Sequence, residues 1–179
     1  MNIQPPESIS TGRLILRKPG LEDAESIFRN YASDPAVTRY LIWRPHTHID
    51  QTKEFVSACI RSWQEETRFP FVICETGSSE AIGMIELRLE AYKADIGYVL
   101  ARKFWGLGYM AEALRAGINW CFERPEIYRV WAVCDTENIA SARVMEKAGM
   151  QREGCLRREI IHPNIDDRPR DVYIYSIVK

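Results

Sequence analysis

Two closely spaced glycines, Gly106 and Gly108, lie between a strand-like run at residues 96–100 and a helix-like run that begins near Leu107. Glycine lets a backbone approach a ligand closely, because no side chain intervenes. The helix that follows directs its unpaired N–H groups and the positive end of its dipole at the same place. The pattern therefore predicts an anion site, for which a phosphate or pyrophosphate is the usual ligand.

The elements around this segment follow from hydrophobic periodicity and turn residues. Strands are predicted at residues 13–18, 69–74, 81–87, 94–100, 128–133, 150–161 and 171–178, and helices at 21–31, 47–66, 107–122 and 138–147. Antiparallel runs with one strand–helix–strand crossover predict a single α+β domain, with a mixed, mostly antiparallel sheet of about seven strands and about four helices. We assign residues 10–179 to this domain and residues 1–9 to an N-terminal extension.

Composition excludes several classes of function. The 179 residues suit one domain, and a net charge of −1 with mixed signs leaves no basic stripe for nucleic acid. The five cysteines show no C-x-x-C spacing, so we expect neither a disulfide framework nor a metal site. No apolar run approaches the roughly 18 residues that span a bilayer. A cytoplasmic protein without a membrane partner is expected.

The glycine segment also satisfies the dinucleotide fingerprint through Gly106, Gly108 and Ala111. That fingerprint belongs after the first strand of a repeated βαβ array, whereas hairpin-like strands precede it here. A P-loop is excluded because no Gly-Lys-Ser/Thr follows. A dinucleotide is therefore the weaker interpretation.

With the element order added, the chain resembles the GNAT family of acetyl-CoA-dependent N-acetyltransferases. The family signature Q/R-x-x-G-x-G/A matches residues 103–108, with Lys103 in place of Gln or Arg. A second block, N-x-x-A/S continuing to E-K-x-G, matches residues 138–149. Residues 11–17, 23–24, 96–98 and 109–113 look like the ribosomal-protein (RimJ/RimL-like) branch. The resemblance covers about residues 10–179.

The resemblance implies acetyl-CoA as cofactor and assigns its contacts. The strand before the glycines would hold the pantetheine arm by backbone bonds at Tyr98, Val99 and Leu100. Asn138 would bind the same arm, and Arg143 would reach the nucleotide end. The pyrophosphate would be wrapped by the segment between them, namely Arg102, Lys103, Trp105, Gly106, Leu107, Gly108, Tyr109 and Met110.

The implied chemistry is direct attack of a neutral amine on the thioester, which needs positioning rather than a protein nucleophile. Many relatives protonate the leaving thiolate with a Tyr where this chain has Met145. Ser141, one helical turn earlier, is the alternative catalytic candidate, because a Ser there is thought to hydrogen-bond the thiol in this branch. It could equally bond its own helix backbone, and water could supply the proton.

Glu86 is the candidate general base, since it alternates with apolar residues where an unpaired carboxylate would be costly. Asp95 is the other candidate, and a salt bridge with Arg88 or Lys93 would explain either carboxylate without catalysis.

Tyr40 and Trp43 are expected to line the acceptor pocket, although aromatic residues in this loop could instead anchor it to the core.

The favoured function is acetyl transfer to a protein N-terminal α-amine of the ribosomal-protein type. An α-amine has a pKa of about 7.7–8.0, so part of it is already neutral near pH 7. Acetylation of a small amine and non-catalytic acyl-CoA sensing stay open, because the fold does not fix the acceptor. The protein is expected to be a monomer or a homodimer.

Overall fold

The computed structural model describes residues 4–66 and 68–179. The strands are β1 (Ser8–Ser10), β2 (Leu14–Arg17), β3 (Phe69–Glu75), β4 (Gly83–Leu89), β5 (Lys93–Leu100), β6 (Arg129–Asp135), β7 (Gln151–Ile160) and β8 (Arg170–Val178). The helices are α1 (Ala24–Ile27), α2 (Pro35–Thr38), α3 (Ile49–Gln64), α4 (Tyr109–Phe122) and α5 (Ile139–Lys147). A 3-10 turn and a π turn extend α1 at its two ends.

The strands form one sheet in the order β1-β2-β3-β4-β5-β6-β8-β7. Neighbours are antiparallel except β5 and β6, which are parallel and joined through α4. A parallel pair requires such a crossover, so among the described strands β5 and β6 are the one neighbouring pair that runs in the same direction. The expected single α+β domain is confirmed.

Two apolar clusters cover the opposite faces of the sheet. Alternate side chains of β3 separate them, with Phe71 and Ile73 in one cluster and Val72 and Cys74 in the other. The first cluster includes the apolar sides of α4 and α5, and the second includes those of α1 and α3. The sheet therefore holds α4 and α5 firmly beside the end of β5.

The sheet has eight strands, where about seven were expected, because Ser8–Ser10 pairs with β2 as a short edge strand. The expected extension at residues 1–9 thus includes part of β1, and residues 1–3 lie outside the described residues. The additional helix α2 is a single turn that begins with Pro35 and is capped by Asp34. One turn carries too little periodicity to predict from sequence.

Every cysteine thiol is free, four of them buried and Cys155 exposed. In the described parts of the chain, no helix combines the length and apolar character that crossing a bilayer requires.

Candidate functional site

The sheet opens between β5 and β6. Their parallel pairing covers Lys93, Ala94 and Asp95 against residues 129–131, and beyond Asp95 the strands separate. Residues 96–100 stay paired with β4, while β6 continues along β8 to Asp135. The side of β5 that faces the gap therefore offers peptide groups without a strand partner, which can bind an extended amide chain.

The glycine loop borders this opening. Gly106 and Gly108 both have positive φ, +81° and +80°, which glycine adopts without strain. Gly108 is the N-cap of α4 and provides no side-chain cap, so the first N–H groups of the helix stay available. A Cβ on Gly106 would meet no protein atom within 4 Å. The backbone here is free to receive an anion at the positive end of α4.

A carboxylate clamp holds the loop in place. Glu112, in the first turn of α4, accepts hydrogen bonds from the Thr11 hydroxyl at 2.6 Å and from the Arg13 backbone and side chain at 2.9 and 2.7 Å. Arg13 also donates to the Leu107 carbonyl at 3.0 Å and lies over the Tyr109 ring. Glu112 thus ties α4 to the β1–β2 turn rather than presenting its charge to a ligand.

A cleft of about 940 Å³ runs from the glycine loop along the gap. Most residues predicted to hold a cofactor line it: Tyr98, Val99, Leu100, Trp105, Gly106, Gly108, Tyr109, Met110, Asn138 and Arg143. Arg102, Lys103 and Leu107 are not among the lining residues. The Arg102 and Lys103 side chains pair instead with Asp34 at 3.2 Å and Glu80 at 3.6 Å. Both side chains are exposed and such pairs are weak, so their contact with the pyrophosphate stays a prediction.

The charge of the cleft suits an anion. Arg39, Arg143 and Lys147 line it, and within residues 4–66 and 68–179 Glu137 is the one carboxylate that does so. Lys147 was missed from the sequence, although it follows Arg143 by one turn on the same face of α5. A glycine loop at a helix N-terminus, an unpaired strand edge and two cations on α5 together fit an anionic ligand with an extended arm.

Ser141 lies in the first turn of α5, where the Asn138 side chain caps the helix by accepting from the Ser141 N–H at 3.2 Å. Its hydroxyl lies 2.7 Å from the Tyr98 hydroxyl, which crosses the gap from β5. Burial raises the pKa of Tyr98 well above the ordinary value of a phenol. Met145, one turn further along α5, is fully buried in the core, so it leaves no polar group at that position.

Glu86 lies outside the lining of the cleft. It pairs with Arg88 at 2.7 Å and with Arg68 at 3.6 Å. Asp95 pairs with the same Arg88 at 2.6 Å, and burial raises the pKa of its carboxyl despite that partner. Both carboxylates thus form salt bridges, which was the alternative to a catalytic role. A catalytic role for Glu86 stays a prediction, and its position outside the cleft does not favour it.

The loop between α2 and α3 has an unexpected anchor. Tyr40 lines the cleft, whereas the Trp43 ring packs against His46 and Phe55, and an acceptor pocket at these residues stays a prediction. Asn164, in the β7–β8 loop, lines the cleft and donates to the carbonyls of Thr38 at 2.7 Å and Trp43 at 2.8 Å. No sequence signal joins residues more than 120 positions apart, so Asn164 was not predictable.

Replacing Asn164 with Asp is expected to loosen this loop, because carboxylate oxygens would face two carbonyl oxygens in place of an NH₂ group. Losing both bonds should speed hydrogen exchange of the amides at residues 39–43 by about tenfold or more. Asn119→Asp is the matched control, since Asn119 is exposed on α4 and far from the loop. Equal exchange in the two variants would contradict the anchor.

Comparison with known proteins agrees with this site. Residues 13–151 match the family described as "Acetyltransferase (GNAT) domain". N-acetyltransferase p20 of Bacillus licheniformis, named as uncharacterized, is 33% identical over 178 residues that cover 97% of each chain. A GNAT-family acetyltransferase from Bacillus anthracis has a TM-score of 0.82 and 30% identity over 96% of this chain and 98% of that one.

RimL, a ribosomal L7/L12 alpha-N-protein acetyltransferase solved with coenzyme A, has a TM-score of 0.84 over 96% of this chain and 98% of its own. At 24% identity, this likeness concerns the fold. The match to the family covers most of the chain, and the anionic extended ligand that the cleft fits is the one this family uses. The chain belongs to the GNAT family of acetyltransferases, and acetyl-CoA is its acyl donor.

Proposed function

We propose that this enzyme acetylates the N-terminal α-amine of a protein, as the name of RimL says of that enzyme. The observation that carries the proposal is the lack of acidic groups around the reaction site: among the described residues that line the cleft, the one carboxylate is Glu137, beside the start of α5. An enzyme without a nearby base needs an amine that is already partly neutral. An α-amine meets this need with a pKa of about 7.7–8.0, whereas a lysine amine near 10.4 does not.

The same charge pattern disfavours a polyamine. A polycationic acceptor requires carboxylates to bind it, and among the described residues that line the cleft Glu137 is the one carboxylate. Small uncharged or singly charged amines remain an alternative. A protein acceptor would meet the enzyme in the cytoplasm, and a monomer or a homodimer could serve it equally.

For the acyl donor, we assign three sets of contacts. The Tyr98 backbone and the Leu100 N–H bind the pantetheine arm along the free edge of β5, because Val99 alternates with them toward β4 and the Leu100 carbonyl already accepts from the Trp105 indole at 2.7 Å. N–H groups between Gly106 and Met110 bind the pyrophosphate, with the loop held by Glu112. Arg143 and Lys147 on α5 attract the phosphates at the nucleotide end, and Asn138 and Trp105 flank the arm.

Acetyl-CoA supplies an acetyl group on a thioester, a carbonyl that a neutral amine attacks directly. A backbone N–H of the free β5 edge polarises that carbonyl. The Ser141 hydroxyl donates a hydrogen bond to the departing sulfur, in the place of the family's Tyr. Water takes the proton that the attacking nitrogen loses, because Glu86 and Asp95 are engaged by Arg88 outside the cleft. Positioning is the main contribution of the chain.

An acceptor panel tests the proposal. Thiol release from acetyl-CoA is measured with peptides that have free N-termini, with the same peptides blocked at the N-terminus but carrying an internal lysine, and with small amines. We expect kcat/KM to be at least about tenfold higher for the free N-termini, with the acetyl group located there by mass spectrometry. Between about pH 6 and pH 8, kcat/KM should rise as the α-amine loses its proton.

Turnover of small amines alone would overturn the assignment of a protein acceptor. Tight binding of coenzyme A without turnover of any amine would favour the non-catalytic sensor instead.

A further inference from the structure

We propose that the phenol of Tyr98 is a positioning residue that directs the Ser141 hydroxyl at the departing sulfur of coenzyme A. The inference rests on the proposed function, because that function defines the reaction in which the sulfur departs. Its principal test measures coenzyme A binding and needs no amine acceptor. Tyr98 belongs to β5 and Ser141 to α5, so the pair bridges the two walls of the gap in the sheet. Both residues line the cleft.

The hydrogen bonds of this pair allow two arrangements. In one, the Tyr98 hydroxyl donates to the Ser141 carbonyl at 3.2 Å and accepts the Ser141 proton across the 2.7 Å contact. In the other, Tyr98 donates to the Ser141 oxygen, and the proton of Ser141 is free to point elsewhere. Only the second arrangement gives the cleft a hydroxyl donor.

A negative sulfur next to Ser141 selects the second arrangement, because a hydrogen bond to an ionised acceptor is about twice as strong as one between neutral groups. Donation from Tyr98 also polarises the serine hydroxyl and strengthens the bond that serine makes. Burial holds the pKa of Tyr98 high, so the phenol keeps its proton at working pH. Tyr98 is thus a donor that does not ionise in competition with the sulfur.

The neighbouring side chains that the structure describes offer no better hydrogen-bond donor to the sulfur than the Tyr98–Ser141 pair. Met145 occupies the position where many relatives have the Tyr that protonates the thiolate, and it is fully buried. Tyr109, another hydroxyl of the cleft, donates to Glu75 at 2.7 Å. The Ser141 side chain also hydrogen-bonds Cys134, but burial raises the pKa of that thiol to about 11, so it stays neutral and competes with a charged sulfur only as a weak acceptor.

The reaction balances without a charge on Tyr98. The carbon–sulfur bond breaks with its electron pair on sulfur while the nitrogen–carbon bond forms. The nitrogen loses one proton to water, and the sulfur finally gains one from water. Ser141 and Tyr98 donate hydrogen bonds throughout and keep their own protons at the end.

Calorimetry of coenzyme A and of its desulfo analogue separates this contact from all others, because the two ligands differ only at the sulfur. From about pH 7 to pH 9.5 the thiol ionises, and the affinity ratio of coenzyme A to desulfo analogue should rise about tenfold in the native enzyme. In Tyr98→Phe and in Ser141→Ala, the ratio should rise less than about threefold. Affinity for the desulfo analogue should stay unchanged in both variants, which shows that the cleft is intact.

Tyr175→Phe is the matched control, since it also removes a buried phenol, one that donates to Glu146 at 3.0 Å outside the cleft. This variant should keep the tenfold rise. The inference would be overturned if the affinity ratio of coenzyme A to desulfo analogue did not change with pH in the native enzyme, or if it rose as much in Tyr98→Phe as in the native enzyme.

Kinetics with an acceptor supply a second measurement. Each single variant should lower kcat by about 10- to 100-fold, and the double variant should be no slower than Ser141→Ala alone, because Tyr98 acts through Ser141. Losses that multiply would contradict the inference. Lack of turnover by the native enzyme would refute the proposed function and leave the calorimetric result standing.

Discussion

Coenzyme A should bind Gly106→Ala about 100-fold more weakly than the native enzyme. A Cβ at Gly106 would meet no protein atom within 4 Å, so the free protein has room for it. The space it enters belongs to the cleft, where the ligand must approach the backbone. Losing one or two charge-assisted N–H contacts, each about 1.5–3 kcal/mol, corresponds to a weakening of this size.

The φ of +81° adds a separate cost, because alanine is strained there by about 1–2 kcal/mol. Gly77→Ala provides the control for this effect. Gly77 has a φ of +85°, and a Cβ there also meets nothing within 4 Å, but it lies in the β3–β4 turn, away from the cleft. Urea denaturation should show similar losses of stability in both variants, and calorimetry should show weak coenzyme A binding only in Gly106→Ala. Native affinity in Gly106→Ala would refute the assignment of this loop to the pyrophosphate.

Local signals in the sequence were sufficient for the glycine loop. Gly106 and Gly108 stand between a strand and a helix, and their geometry follows from that junction alone. The predicted helix start at Leu107 was two residues early, because Gly108 has a left-handed conformation and α4 can begin only at Tyr109. A sequence pattern predicts a structure well when the residues that fix the conformation are neighbours in the chain.

Side-chain roles were harder to predict, because they depend on residues distant in sequence. Arg102 and Lys103 look like phosphate ligands in the chain, but the fold brings Asp34 and Glu80 to them. The Trp43 ring packs against Phe55, while Asn164 reaches the Thr38 carbonyl from the β7–β8 loop. Each of these partners is fixed by tertiary packing, which hydrophobic periodicity does not encode.

The end of β6 depends on one buried ion pair, and its removal should be the most destabilising of the changes considered. The Asp135 side chain is 0% exposed, and Arg170 donates to it at 2.6 and 3.2 Å. Replacing Arg170 with Leu leaves the carboxylate buried without its main partner, which should lower the free energy of unfolding by about 3 kcal/mol at pH 7. Urea denaturation measures this loss.

Arg168→Leu is the matched control, two residues earlier in the chain. Arg168 pairs with Asp166 at 2.8 Å but is 79% exposed, so its loss should cost less than about 1 kcal/mol. Adding Asp135→Asn to Arg170→Leu should restore part of the stability at pH 7, because it removes the unpaired charge. Equal losses in the two arginine variants would show that burial does not set the strength of the Asp135 pair.

The pH dependence of the stability lost in Arg170→Leu shows whether the loss comes from the unpaired Asp135 charge or from poorer packing. In the native protein, burial raises the pKa of Asp135, but hydrogen bonds from Arg170 and the Glu137 N–H outweigh it and hold the pKa below its usual value. That pair stabilises the fold above about pH 3.9 and its contribution is lost as pH falls further. Without Arg170, burial raises the pKa of the carboxyl, so a proton taken up there, or by the buried His162 that lies 3.6 Å away, relieves the penalty as pH falls. The difference between native protein and Arg170→Leu should therefore shrink from pH 7 toward about pH 4, whereas a loss of packing alone would keep it constant.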